Sequence, residues 1–162
     1  MLRSFVPAAA LALAFASAAH AQTPGTPIRT AAGARYAAET ARTRALTYAF
    51  LDQLYGKMDL RGAFMKYVDP GYIQHHPGMA DGRDAAIASL EPLFRNPNTR
   101  ISVKQVLVDG DRIAVEIVGH MSPEDPGSVV INIFKWKNGK IIEHWDVTQA
   151  ITGDTPSGHK PY

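Results

Sequence analysis

The spacing of apolar positions changes once along the chain, from a helical period to an alternating one. From Tyr36 onward Leu46, Phe50 and Leu54 recur every fourth residue beside Ala38, Ala41, Ala45 and Ala49, with Arg42, Arg44 and Asp52 on the remaining surface. That is an amphipathic helix with one buried stripe. A short helical segment is predicted over Leu60–Tyr67. A third helix starts near Arg83, where Ala86, Ile87, Leu90 and Phe94 share a face, and Pro92 should end or kink it.

After "RNPNT" the period becomes two. Ile101, Val103, Gln105 and Leu107 alternate with Ser102, Lys104, Val106 and Val108, which predicts a strand whose first set forms a largely apolar face. Asp109-Gly110-Asp111 marks a tight turn. Ile113–Met121 is the next strand, "SPEDPGS" a longer loop, and Val129–Trp136 another strand. Asn138-Gly139 is a strong hairpin signal because both residues tolerate positive φ. Lys140–Ala150 returns as the last long strand. Helices followed by a run of antiparallel strands define an α+β domain. A twisted sheet with helices on one side leaves a pocket at the open end of their interface.

The opening "MLRSFVPAAALALAFASAAHAQ" changes the picture of where this domain works. Arg3 precedes a small-residue apolar run, Val6 to Ala19, and Ala19-His20-Ala21 ends in an A-x-A pattern. Residues 1–21 therefore read as a cleaved signal peptide, against the alternative of an Ala-rich structural helix. The run is shorter than the roughly 20 residues that span a bilayer. No later stretch reads as a membrane helix, so the expectation is a soluble periplasmic or secreted protein. Residues 22–34, "QTPGTPIRTAAGA", read as a flexible leader, 35–152 as one domain and 153–162 as a C-terminal tail.

Charge and cysteine content then exclude several classes. The chain has 17 Lys+Arg against 15 Asp+Glu, and loss of Arg3 with the leader brings the balance closer still to neutrality. With no basic cluster, nucleic acid is not an expected partner. The absence of cysteine excludes disulfides, thiolate metal sites and cysteine nucleophiles together. Phosphate loops, nucleotide-binding glycines and a GxSxG elbow are absent as well.

Two stretches concentrate the remaining polar chemistry: "YIQHHPGMADG" (72–82) and "IIEHWDVTQ" (141–149). "YIQHHP…ADGRDAAI" followed by "NIFKWKNGKIIEHWDVTQ" resembles the SnoaL-like polyketide cyclases, specifically the predicted aldol-condensation branch, within the nuclear transport factor 2-like superfamily. The resemblance covers about Ala45 to Gln149. Gln74-His75 with Pro77, Gly139-Lys140-Ile141 and Glu143–Val147 carry it most specifically. It implies a cone of three helices against a curved, mostly antiparallel sheet, a deep pocket and frequent dimerisation. Its members include cofactor-free cyclases, isomerases, dehydratases and epoxide hydrolases. One departure stands out: the family's D-[IL]-F-R pattern has Asn132 in place of its Asp and Lys135 in place of its Arg. Asn donates and accepts hydrogen bonds but exchanges no proton near neutral pH.

Enolate chemistry needs a base beside a carbonyl and donors for the developing oxyanion. The resemblance favours Asp146 as that base; the alternative is a surface carboxylate or one that holds His144. It likewise favours His75 as the pocket histidine, although alternation groups Tyr72, Gln74 and His76 on one strand face and Ile73 with His75 on the other. Either histidine, or His120 near its strand end, can instead simply bond a backbone carbonyl. Regular pairing about a two-residue loop sets Asn132 opposite Trp145 and Ile131 opposite Asp146. Asn132, Phe134, Trp145 and Gln149 would then share one face, and His144, Asp146 and Thr148 the other. Asn132 and Asp146 reach one pocket only through a β-bulge. Trp145 and Trp136 are core or interface aromatics, or else stacking platforms. His75, His76, His120, His144 and Asp146 could offer metal ligands, but HxH and HExxH spacings are lacking, so neither metal nor cofactor is expected.

The expectation is an exported protein with an apolar pocket for a small carbonyl or cyclic compound. Catalytic candidates are Asp146, His75 and His120; ligand-binding candidates are Tyr72, Asn132, His144, Trp145 and Gln149. The activity would be a cofactor-free isomerase, cyclase or lyase reaction by proton transfer, with Asn132 as oxyanion donor; the alternative is a periplasmic binding protein without turnover. His75 and Asp146 should line one cavity with Trp145 turned away. Ile131, Ile133 and Ile142 should form an apolar outer sheet face through which the protein pairs as a homodimer.

Overall fold

Thr30 starts the first helix: its hydroxyl accepts from the Gly33 amide at 3.1 Å. Helix α1 (Ala31–Leu51) thus begins inside the segment read as leader. Its first turns are exposed and alanine-rich, so a capping residue and helix propensity start it where no apolar stripe signals a core contact. The computed structural model describes residues 30–153 and 155–162; the expected signal peptide and the leader up to residue 29 lie outside them.

Helix α1 runs into a single π turn, Asp52–Gly56, closed by the Lys57 amide on the Asp52 carbonyl at 2.9 Å. A π turn inserts one residue into the helical ladder and redirects the side chains that follow. Helix α2 (Leu60–Tyr67) starts at Asp59, whose carboxylate accepts from the Gly62 amide at 2.9 Å and from Gln53 Nε2 at 2.8 Å. Strand β1 (Val68–Gln74) follows, then α3 (Arg83–Arg95), β2 (Arg100–Asp109), β3 (Arg112–His120), β4 (Ser128–Lys137) and β5 (Lys140–Ala150). Pro92 does not end α3; it falls in the last turns and the helix continues to Arg95.

The five strands form one mixed sheet in the order β1-β5-β4-β3-β2, with β1 parallel to β5 and the other pairs antiparallel. The helices cover one face, giving the α+β cone. Phe50 of α1 is fully buried at its centre, with its ring 5.7 Å from Phe134, 5.9 Å from Tyr67, 6.3 Å from Phe64 and 6.4 Å from Trp136. Trp136 is therefore a core aromatic. Ile113, Val115, Ile117 and Ile141 complete the strand side of this core.

Two irregularities decide which side chains face the helices. In β2 the register shifts between Val103 and Gln105, so Val106 and Val108 pair with Val115 and Ile113 on the core side. The face predicted to run Ile101-Val103-Gln105-Leu107 is thereby broken, and Leu107 is 60% exposed on the outer side. In the last hairpin Lys135 pairs with Glu143 but Trp136 pairs with Ile141, which leaves Ile142 as an unpaired bulge residue. A one-residue insertion transfers every later side chain to the opposite face. From Glu143 onward the strand is inverted relative to regular pairing. Asn132 faces Asp146, and Ile133 faces Trp145.

Candidate functional site

Because of the Ile142 bulge, His144 and Asp146 of β5 stand beside Phe134 and Asn132 of β4 on the helix-facing side. Strand β1 brings Tyr72 and Gln74 to the same side, in parallel register with Gln74 next to His144. The turn after β1 then delivers His76. Its Nδ1 lies 2.8 Å from both carboxylate oxygens of Asp146, whose side chain is only 11% exposed. A carboxylate in that geometry accepts the Nδ1–H and leaves Nε2 as the outward acceptor. The His76 side chain is 33% exposed, so that nitrogen can be reached by a ligand.

Two tyrosines flank the pair. Tyr55, redirected by the π turn, stacks on Phe94 of α3 at 6.4 Å and 17°. Burial pushes the Tyr55 phenol well above its ordinary range, and the Asp146 charge pushes it further. Tyr72 is 2% exposed; burial raises its phenol too, with Tyr55 and Asp146 adding to the rise and a hydrogen bond to Gln74 opposing it. Both hydroxyls stay protonated and so remain donors.

His144 sits behind them, stacked between Phe134 (4.7 Å) and Tyr72 (6.2 Å). Its Nδ1 is 2.8 Å from Gln74 Oε1 and its Nε2 is 3.1 Å from Asn132 Oδ1. Burial lowers its pKa to about 4, with His76 and His75 lowering and Asp146 raising it, so the ring is neutral at pH 7.

Several expected positions lie elsewhere. His75 does not share a cavity with Asp146: alternation along β1 turns it to the outer face, where its ring stacks on Trp145 at 4.7 Å and 3°. There His75 Nε2 is 3.0 Å from Glu143 Oε1, and Arg112 lies 5.5 Å above the Trp145 ring. Trp145 is thus turned away from Asp146 and carries no contact to the inner site. Gln149, opposite Val129, is exposed beyond the inner cluster on that same outer face. His120 ends β3 beside Arg100 and its Nδ1 is 3.0 Å from the Asp125 carbonyl oxygen, a loop contact away from the inner cluster. Clefts of about 320 and 570 Å³ lie between α1 and the β4–β5 turn and along the C-terminal segment, and Asp146 lines neither.

The residues missed as site members are His76, Gln74 and Tyr55. Alternation already grouped His76 and Gln74 with Tyr72, and that signal was sufficient to find them. Nothing in the apolar spacing signals the π turn that redirects Tyr55. Among the described residues no group of three or more His, Asp or Glu is placed to hold a metal ion, and no helix is long and apolar enough to cross a membrane.

A family model described as a SnoaL-like domain matches residues 47–144. No curated protein matches the chain. Among solved structures, a nuclear transport factor 2-like protein of unknown function from Mesorhizobium loti superposes with a TM-score of 0.60 at 17% identity, covering 69% of this chain and 94% of that one. A Kribbella flavida protein provisionally named a ketosteroid isomerase gives 0.59 at 19%, covering 73% and 85%. A SnoaL-like polyketide cyclase from Agrobacterium tumefaciens gives 0.54 at 16%, covering 66% and 91%. At these identities the superpositions establish a common fold.

Proposed function

The chain belongs to the SnoaL-like domain family of the nuclear transport factor 2-like superfamily, and from that premise we propose that it is an exported, cofactor-independent isomerase or cyclase that moves a proton on a small carbonyl compound. The observation that carries this reading is the His76–Asp146 pair, with Nδ1 centred 2.8 Å from both carboxylate oxygens. In this reading His76 Nε2 removes the proton beside the carbonyl. Asp146 orients the ring and balances the imidazolium that forms. Tyr55 and Tyr72, held protonated and within the influence of the Asp146 charge, are the candidate donors to the developing oxyanion. The cyclase and isomerase names among structural neighbours lend the same class of chemistry indirect support.

Oriented general bases of this kind contribute about 10²–10⁴-fold to rate. The test is α-proton exchange of cyclic and β-hydroxy ketones in D₂O followed by NMR, on compounds first selected by thermal-shift screening, with mass spectrometry of the incubated hits. His76→Gln should slow exchange by about 10²–10⁴-fold, and Asp146→Asn, which keeps the base but not its orientation, by at least about tenfold. Wild-type exchange in both variants would overturn the assignment. The second reading, a binding protein of the same fold, is favoured by Asn132, which replaces an exchangeable acid by an amide. Thermal shifts without exchange or product in the wild type would support it. We also propose that the protein is exported by its 1–21 segment and works as a homodimer through the outer sheet face.

A further inference from the structure

The four groups around His144 can be satisfied in only one pattern, and it starts from a donor that has no alternative. The backbone N–H of His76 donates to Gln74 Oε1 at 3.0 Å. A backbone amide cannot accept, so this contact fixes which end of the Gln74 side chain is oxygen. The same Oε1 lies 2.8 Å from His144 Nδ1, which must then carry a hydrogen. A neutral imidazole has one N–H, so His144 Nε2 is left as a lone pair. That lone pair faces Asn132 Oδ1 at 3.1 Å, acceptor against acceptor, while Asn132 Nδ2 is buried without a partner among the described residues. A half-turn of the amide removes the clash and pairs the nitrogen: Nδ2 donates to His144 Nε2, and the carbonyl oxygen takes its place as the buried unpaired atom.

We infer that Gln74 is a positioning residue that fixes His144 as the neutral Nδ1–H tautomer, and that Asn132 is thereby turned with its nitrogen on His144 and its oxygen free. The competing state is a doubly protonated His144 donating to both oxygens. It would place a cation on a ring that is 7% exposed and stacked between Tyr72 and Phe134, and it would still leave Asn132 Nδ2 unpaired. The charged or titratable groups around His144 are Asp146, His76 and Tyr72 on its own side and His75 across the sheet; only Asp146 favours that cation. Burial of the ring outweighs it.

Two consequences for the site rest on the proton-transfer reading above. A neutral His144 leaves His76 as the only imidazole that can neutralise Asp146 on the inner face. And the free atom of Asn132 is an acceptor, so this residue does not serve as an oxyanion donor. That oxygen is shielded from solvent, so Asn132 acts on the site by holding His144 and not by touching a ligand.

The tautomer is read directly by long-range ¹H–¹⁵N correlation NMR of uniformly ¹⁵N-labelled protein at pH 7, without any substrate. The expected result for His144 is a protonated Nδ1 and an unprotonated Nε2. An Nε2–H tautomer or an imidazolium would overturn the proposal. Asn132→Asp cannot donate to Nε2, so His144 should take a second proton and its titration should move up by about 1–3 pH units. An unmoved titration would overturn the Asn132 part. Gln74→Leu should yield a mixed tautomer and Gln74→Glu should restore Nδ1–H, an outcome that a purely space-filling Gln74 would not give. Because none of these readouts uses turnover, absence of proton exchange would defeat the catalytic reading and leave the tautomer result standing.

Discussion

His144 shows how one residue ties the site to the stability of the fold. Its pKa drops from 6.5 to about 4 on folding because burial penalises the imidazolium. The unfolded chain therefore binds the proton first. The contribution is fully present above pH 6.5 and is lost as pH falls toward and through about 4. The shift is worth about 3 kcal/mol at its limit. His144→Gln keeps a donor for Gln74 and an acceptor for Asn132 but removes the titration. Urea unfolding at pH 7 and pH 4.5 should show the wild type losing about 2–3 kcal/mol more than this variant. Equal losses would mean that His144 is not held neutral.

At the scale of the element, the Ile142 bulge is what assembles the inner site. The side chain of Ile142 is only half-buried; bulging the residue out, and not pairing it, keeps the facing of all that follows it in β5. Ile142→Ala should therefore cost about 1 kcal/mol, in the range of ordinary substitutions. Deleting Ile142 removes the extra residue but keeps the pairs on both sides of it, Trp136 with Ile141 and Lys135 with Glu143, so Asp146 stays opposite Asn132 on the inner face. The deletion should therefore cost no more than about 1–2 kcal/mol, in the range of ordinary substitutions, and should keep binding of any hit from the ligand screen. Urea midpoints and thermal shifts of the two variants, side by side, check this. A deletion that abolishes binding or costs far more than the alanine change would show that the bulge residue itself is needed to set the register.

For the whole molecule, the helices cover one sheet face and leave apolar side chains exposed on the other, beside charged ones such as Arg112 and Glu143. Ile73 (44%), Leu107 (60%), Ile131 (37%), Ile133 (37%) and Val147 (70%) are all exposed on it. Val118 and Val129 on that side are buried, and Lys104 of β2 lies 4.6 Å over the ring of Tyr162, so the C-terminal segment folds back to this sheet. Apolar area of this kind is a normal basis for two-fold pairing. Light scattering at micromolar concentration should give twice the protomer mass. Ile133→Glu with Val147→Glu should reduce it to one while leaving the His144 NMR signals in place. A wild-type monomer would count against the interface.

The α+β class, the extent of α2, the Asn138-Gly139 hairpin and the two stretches that meet at the site are legible in the sequence, because apolar period and turn chemistry are local properties. It also grouped Tyr72, Gln74 and His76, since alternation along a strand needs no partner. It could not choose between His75 and His76 as the partner of Asp146. That choice depends on which face of β1 meets the helices and on parallel pairing with β5, neither of which is local. The register of the last hairpin is likewise set by contacts distant in the chain. A bulge is a compromise among the packing of Trp136 and Ile141 in the core, the Glu143 contacts on the outer face and the irregular entry of β1, and no single segment encodes it. With that one inserted residue, Asp146 turns from the outer face to the inner one, and Trp145 exchanges places with it.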